Sequence, residues 1–572
     1  MTENVSDGST VAKGGVNISD RKLRKALTTT DLLFLSLGGI IGSGWLFAAA
    51  SAAELTGPSA VLSWIIGGVI VLIIALVYAE LGGMIPRSGA IVRYGKFSHG
   101  SLAGYLFGWA YFLSAVSVPA VEAEAVITYA GSYIPGLDYV ALAPDGATVA
   151  ILKLAGILLA ALLMVGFFFL NYFGVRVMGK TNTGMTWWKL IIPIGTIAIL
   201  LVFHFNVSNF FLSTGFFTYH VSHMFEAISV SGIVFSFLGF RQALDYGGEA
   251  KTPQKSIPIA TIVSVLIGIA IYVMLQVVFI GQINWTALGV TTGSWANLGI
   301  TSAGAALVSA PFATLMSSAG LVIMTYILFA DAYISPSGTL NVYLGTSQRT
   351  LYGMGTLGYL GKRITKLNEH HVPVLPLLVT LLVGFVFFAP FPSWYELVGF
   401  ITSSTVFTYI VGGSALRVFR REAKELNRPF TLKGSAIISP MAFVGATLIV
   451  YWSGWPIVPY VVIAILLGLI VYFVYRMAGK TEIDIFSRQN LKGGGWLLVF
   501  MGVLTLLSYL GEKGYGGIGV LPFPWDFLVV IIVAVGFYIW SVKSGFKTEE
   551  ITEMIASGTQ YVEEQSEASG GK

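Results

Sequence analysis

The chain has 572 residues, of which 55% are hydrophobic and only 11% are Asp, Glu, Lys or Arg. Soluble domains carry about 25% charged residues, and a chain this apolar could not cover a globular surface, so an all-α polytopic membrane protein is predicted. The lack of cysteine excludes disulfides and thiolate metal sites, and the net charge of +5 comes from loop lysines and arginines, not from a nucleic-acid-binding patch.

The first 28 residues are polar and Gly/Ser-rich, and residues 1–28 are expected to be a disordered leader. A membrane helix needs about 20 mostly apolar residues. Fourteen such stretches follow, near 31–55, 58–84, 101–133, 147–172, 182–205, 223–246, 257–281, 306–338, 374–390, 394–418, 436–454, 457–477, 494–511 and 525–543. The first follows a basic cluster and has no cleavage pattern, so it is read as a retained span. Residues 29–435 are expected to form a core of two repeats, 29–205 and 223–418. Residues 436–545 would hold spans eleven to fourteen, and the acidic tail 546–572 a short helix followed by disorder.

Lys and Arg concentrate in cytoplasmic loops. Here they precede span one (Arg21, Lys22, Arg24, Lys25) and recur after every second span. The groups are Arg87, Arg93 and Lys96; Arg176 and Lys180; Lys251 and Lys255; Arg349, Lys362, Arg363 and Lys366; Arg417 to Lys433; Arg476 to Lys492; and Lys543 with Lys547. The opposite loops are nearly bare, apart from Lys513. Both termini are therefore expected in the cytoplasm, with the chain in the cell membrane. His220 and His223 have helical spacing, but no carboxylate or thiol completes a metal set, so no metal and no cofactor are expected.

Span one contains LGGIIGSGWLF (Leu37–Phe47), with glycines at 38, 39, 42 and 44. Each glycine weakens a helix by about 0.8–1.0 kcal/mol relative to alanine. Span six contains Gly232 and Gly239, polar Ser229, Ser231 and Ser236, and then Arg241 and Asp245. If the chain is two five-span halves, these interrupted spans correspond, and an odd number of spans inverts one half against the other. Paired broken helices in inverted repeats point to a transporter binding site. Freed N–H groups at one half-helix end attract a carboxylate, and freed carbonyls receive an ammonium. The competing reading is close packing, since Gly38 and Gly42 form a GxxxG motif.

At these residues the chain resembles the amino acid–polyamine–organocation (APC) superfamily. The resemblance rests on GGIIGSGWLF; on YAELGGMIPRSGAIVRYG (Tyr78–Gly95); on FLGFRQALDYGGEAKTPQKSIP (Phe237–Pro258); and on SQRTLYGMGTLGYLGKRITKLNEHHVPVLP (Ser347–Pro376). It covers about residues 29–435 and implies a LeuT-type inverted-repeat fold of ten helices, here with four additional C-terminal transmembrane helices. It further implies that Gly42, Ser43 and Gly44 give donors to a substrate α-carboxylate. Ile40, Phe235, Ser236 and Leu238 would then offer carbonyls to the α-amino group, with the Phe235 ring as a gate. Lys189, seven residues after Asn182, matches a lysine of proton-coupled members, so proton coupling is implied; from position alone it could equally snorkel to the interface.

Ionisable residues inside spans are functional candidates. Arg241 needs an anion, either a substrate side-chain carboxylate or Asp245 one turn on. Glu122 and Glu124 point to different sides of span three, so one at most should face the pathway, as a proton carrier or a cation ligand. Asp331 is placed in the inner half of span eight, where it could pair with Lys189, and Ser335 and Ser337 are placed to line the same region. Glu80 and Arg87 are read as structural. The leading expectation is an amino acid:proton symporter working by alternating access, not an enzyme. Arg241 and the fourteen spans of aspartate-type relatives favour an acidic substrate. A cationic amino acid or polyamine carrier without proton coupling, or an amino-acid-sensing receptor, are the other readings. The partners expected are the amino acid, protons and membrane lipids, with no nucleic acid.

Overall fold

The computed structural model describes residues 25–142, 148–173, 175–390, 392–481 and 483–556, with backbone only for 175–181. Most of the expected leader, the end of the tail from 557, and the side chains of Arg176 and Lys180 lie outside the described residues. Every expected apolar stretch holds a helix. Among the described residues, ten helices are long and apolar enough to cross a membrane, and the pair Val221–Val230 and Phe235–Asp245, bent by 47°, makes an eleventh. The protein is thus a multi-pass, all-α membrane protein, as the composition requires.

Two boundaries differ from the hydropathy reading. Span four begins at Leu154, because Thr148–Leu152 pairs antiparallel with Asp138–Leu142 in a small hairpin. Span eight is Val322–Thr356, starting well after the expected 306. The apolar residues before it form two short helices, Ser302–Ser309 and Pro311–Ser318. Pro311 cannot continue the first helix, and Gly320, at φ +75°, turns the chain before span eight begins.

Span one is two helices, Thr29–Ile40 and Gly44–Thr56. Thr28 and Asp31 form a capping box at its start. Span six breaks between Val230 and Phe235 and continues as a 3-10 turn, Phe235–Arg241, into Gln242–Asp245. The two broken spans cross where Gly239 meets Gly39; a Cβ on Gly239 would overlap the Gly39 backbone.

Span two (Ala60–Met84) packs along span seven (Pro253–Gln282), and span three (Ser101–Gly131) along span eight. Span three lies at the centre: 94% of its apolar window is buried, against 22% for span fourteen, Trp525–Ser544. At the end of the bundle bearing the basic loops, the helix Ala90–His99 is wholly buried. There Leu27 bridges to Ala250, and Glu550 of the tail lies 3.0 Å from Lys96.

Candidate functional site

The backbone leaves the helix after Ile40 and re-enters one at Gly44, so the polar groups of the last turn and of the break need other partners. Each partner comes from a different span. The Ser43 N–H donates to Glu122 Oε2 of span three at 2.8 Å. The indole N–H of Trp394, the first residue of span ten (Trp394–Glu422), donates to Ser43 Oγ at 2.7 Å. Tyr272 of span seven donates to the Ile40 carbonyl at 2.7 Å and lies 3.4 Å from the Ser236 carbonyl. Lys189 of span five (Val175–Val202) donates to the Gly38 carbonyl at 2.7 Å and to Thr339 Oγ1 of span eight at 2.9 Å. Thr339 in turn donates to the same Gly38 carbonyl at 2.8 Å.

All of these side chains are buried. A charge-assisted bond is roughly twice as strong as a neutral one, so Glu122 and Lys189 are the strongest fastenings of the break. Glu122 Oε1 has no partner. A Cβ on Gly42 would fall 2.5 Å from that oxygen, so glycine is needed for the carboxylate to approach.

The predicted residues of span six lie against the same place. Ser236 Oγ donates to the Gly232 carbonyl at 2.7 Å. The Phe235 ring stands edge-on to Trp394, with centroids 6.0 Å apart, and Leu238 is buried. A Cβ on Gly44 would overlap the Ser236 hydroxyl, so the two breaks touch.

Of the two span-three carboxylates, Glu122 is the one at the break. Both oxygens of Glu124 are buried without a partner. Lys189 is fully buried, so it does not snorkel. Asp331 does not pair with it. Because span eight starts at Val322, Asp331 falls in the half farther from the basic loops, where it accepts from Ser335 at 2.7 Å. Gly338 and Thr339, rather than Ser335 and Ser337, meet Lys189.

Arg241 and Asp245 also do not form the expected ion pair. Tyr111 of span three stands between them: its hydroxyl donates to Asp245, and the guanidinium lies 4.4 Å over its ring. Glu80 is structural, as expected, held by Arg420 at 2.5 and 2.9 Å and by the Leu432 N–H at 2.7 Å. Two motif residues given no role pair with each other: Arg349 Nε donates to Glu249 Oε1 at 2.7 Å. Among the described residues, no His, Asp and Glu group could hold a metal ion.

Sequence reasoning missed Tyr272, Thr339 and Trp394. Their one signal is a polar atom inside an apolar stretch, which many membrane helices share.

Residues 31–420 match the model of the amino acid permease family. The chain is 37% identical over 552 residues to the glutamate/serine transporter AimA of Bacillus subtilis, covering 96% of this chain and 99% of that one. It is 34% identical over 523 residues to the aspartate-proton symporter of the same organism, covering 91% and 97%. It is 24% identical over 464 residues to the branched-chain amino acid permease BcaP of that organism, covering 80% and 94%. All three are named as transporters or permeases, in keeping with a transporter rather than an enzyme.

Proposed function

The chain belongs to the amino acid permease family and is an amino acid transporter, and on that premise we propose that it is an amino acid:proton symporter for acidic substrates, working by alternating access. It would lie in the cell membrane with both termini cytoplasmic, the orientation favoured by the basic loops. The observation that carries the reading is the Glu122 carboxylate on the Ser43 N–H at 2.8 Å. The break in span one accepts a carboxylate in a buried setting, and a substrate α-carboxylate offers the same chemistry.

In this mechanism the substrate displaces Glu122 from Ser43. The Ser43 hydroxyl accepts from Trp394 and its side chain lies against Glu122, so once Glu122 is displaced its O–H can donate to the incoming carboxylate. The Ser236 carbonyl lies 3.4 Å from the Tyr272 hydroxyl, and the Ile40 carbonyl, which accepts from Tyr272 and from the Gly42 N–H, would give up one of these donors to receive the substrate ammonium. The released Glu122 would otherwise be a buried carboxylate short of donors, and taking up a proton relieves that cost. Lys189 holds the other side of the break and completes the coupling. Phe235, Ser236 and Leu238 cover the substrate from span six. The names of the two relatives above 30% identity, one a glutamate/serine transporter and one an aspartate-proton symporter, support both the substrate class and the proton.

The test is uptake of labelled amino acids into proteoliposomes with and without an inward proton gradient, for the parent and for Lys189→Ala. The expected result is gradient-driven accumulation of aspartate or glutamate that Lys189→Ala abolishes. Uptake that ignores the gradient in both proteins removes proton coupling and leaves an exchanger.

A further inference from the structure

Between the broken helices and the basic end of the bundle, two opposite charges lie buried one helical turn apart without pairing. Arg241 and Asp245 are both 0% exposed. The guanidinium donates to the Ser114 hydroxyl, at 3.3 Å from each terminal nitrogen, and lies against the Tyr343 and Tyr409 hydroxyls, while its Nε has no partner. Its faces rest on the rings of Tyr111 and Tyr343, at 4.4 and 5.3 Å. Asp245 accepts from Tyr111 through Oδ2, while Oδ1 has no partner. Between them in sequence, Gln242 Nε2 is also buried and unpartnered. Buried charges with spare hydrogen-bonding capacity are costly, and each such group calls for an explanation.

This cluster is separate from the Ser43 break. On span three, Ser114 precedes Glu122 by eight residues, about 12 Å along a helix. On span eight, Tyr343 follows Thr339 by one turn, about 6 Å. A molecule held at Ser43 therefore lies one to two turns farther from the basic loops than Arg241. Beyond the cluster toward those loops stands the Arg349–Glu249 pair, with the Arg349 guanidinium 4.1 Å over the Tyr246 ring.

We propose that Arg241 and Asp245, with Ser114 and Tyr111, form a second, inner subsite that takes the carboxylate and the ammonium of the transported amino acid on its way to the cytoplasm. The proposal rests on the transport reading above and adds a stopping point to it. Arg241 supplies a planar fork of donors suited to a carboxylate. Asp245 Oδ1 supplies an acceptor for the ammonium, and the tyrosine rings flank the two charges. The charges are fixed one turn apart, a spacing that suits the two charged groups of a zwitterion.

The experiment compares the two sides of the membrane. The full chain has no cysteine, so Lys362→Cys on an exposed basic loop lets an impermeant thiol reagent silence transporters inserted one way round. Labelled aspartate, or whichever amino acid the parent takes up, is then titrated from outside for uptake and from inside for efflux. The parent is compared with Ser114→Ala, Asp245→Asn and Arg241→Gln, each checked for monodisperse elution in detergent. Losing one hydrogen bond to a charged group is expected to raise the internal half-saturation about tenfold. The external value should stay within about twofold, since no contact at Ser43 is touched. Equal rises on both sides overturn the proposal by placing Arg241 in the outer site. No rise on either side overturns it by making the cluster structural. If Arg241→Gln does not fold, Ser114→Ala, which keeps both charges, decides between the same outcomes. A parent that carries no amino acid refutes the transport reading first, before any variant is compared.

Discussion

Glu122→Gln tests the idea that a carboxylate of the protein holds the place of the substrate. Glutamine keeps the size of the side chain and can still accept from the Ser43 N–H, now 2.8 Å from Oε2. It cannot carry the charge or take the proton. A hydrogen bond to a charged group contributes about 1.5–3 kcal/mol and a neutral one about 0.5–1.5, so the internal competitor weakens by about 1–1.5 kcal/mol. A substrate that must displace it should then bind roughly tenfold more tightly. In the parent, protonation of Glu122 frees the Ser43 N–H, so half-saturation should improve as pH falls. In Glu122→Gln that dependence should flatten, because no proton is needed to release the amide. Gradient-driven accumulation should be lost while equilibrium exchange persists. The assay is uptake and exchange in proteoliposomes between about pH 5 and pH 8, with half-saturation measured at each pH. Weaker binding with gradient dependence intact would show that Glu122 helps to hold the substrate, and would refute the displacement argument.

Three further outcomes follow from the geometry. Trp394→Phe removes the indole N–H from Ser43 Oγ but keeps a ring against Phe47 and Phe235; KM should rise severalfold, matching about 0.5–1.5 kcal/mol for a neutral bond, with kcat changed less, as read from uptake kinetics. Gly239→Ala places a Cβ on the Gly39 backbone, which rotamer changes cannot relieve, so the melting temperature in detergent should drop sharply or folded protein should be lost. Arg349→Met strips the partner from Glu249, which is 2% exposed; breaking a buried pair on one side costs about 3–5 kcal/mol, so thermal stability should fall, and a cysteine introduced at Thr346 should become more reactive from the cytoplasmic side.

The two breaks were legible because glycine in a membrane helix is a local signal: it needs no knowledge of what packs nearby. The span boundaries that slipped had no such signal. Residues 302–318 are apolar enough to begin a span, and only Pro311 and the positive φ of Gly320 reveal two short helices ahead of it. That shift left Asp331 bonded to Ser335 and without a direct pair to Lys189. The Arg241–Asp245 pair failed for another reason. Spacing by four on one helix says nothing of a third side chain, and Tyr111 arrives from span three, far away in sequence. Tyr272, Thr339 and Trp394 were hidden in the same way. A single hydroxyl or indole in an apolar run gains meaning only when tertiary packing brings it to a freed backbone group.

Those hidden residues determine how binding can become motion. Span one is fastened to span seven through Tyr272, to spans five and eight through Lys189 and Thr339, and to spans three and ten through Glu122 and Trp394. A substrate carboxylate held at Ser43, as proposed, would compete with only one of these, the bond to Glu122. A ligand shifts a conformational equilibrium only by its differential interaction with the two states. In the proposed mechanism the difference is specific: with substrate bound, span one would lose its charged tie to span three and keep its tie to span seven. The pair formed by spans one and seven would then be freer to move against span three, and a proton on Glu122 would keep the broken tie from re-forming until the substrate has left.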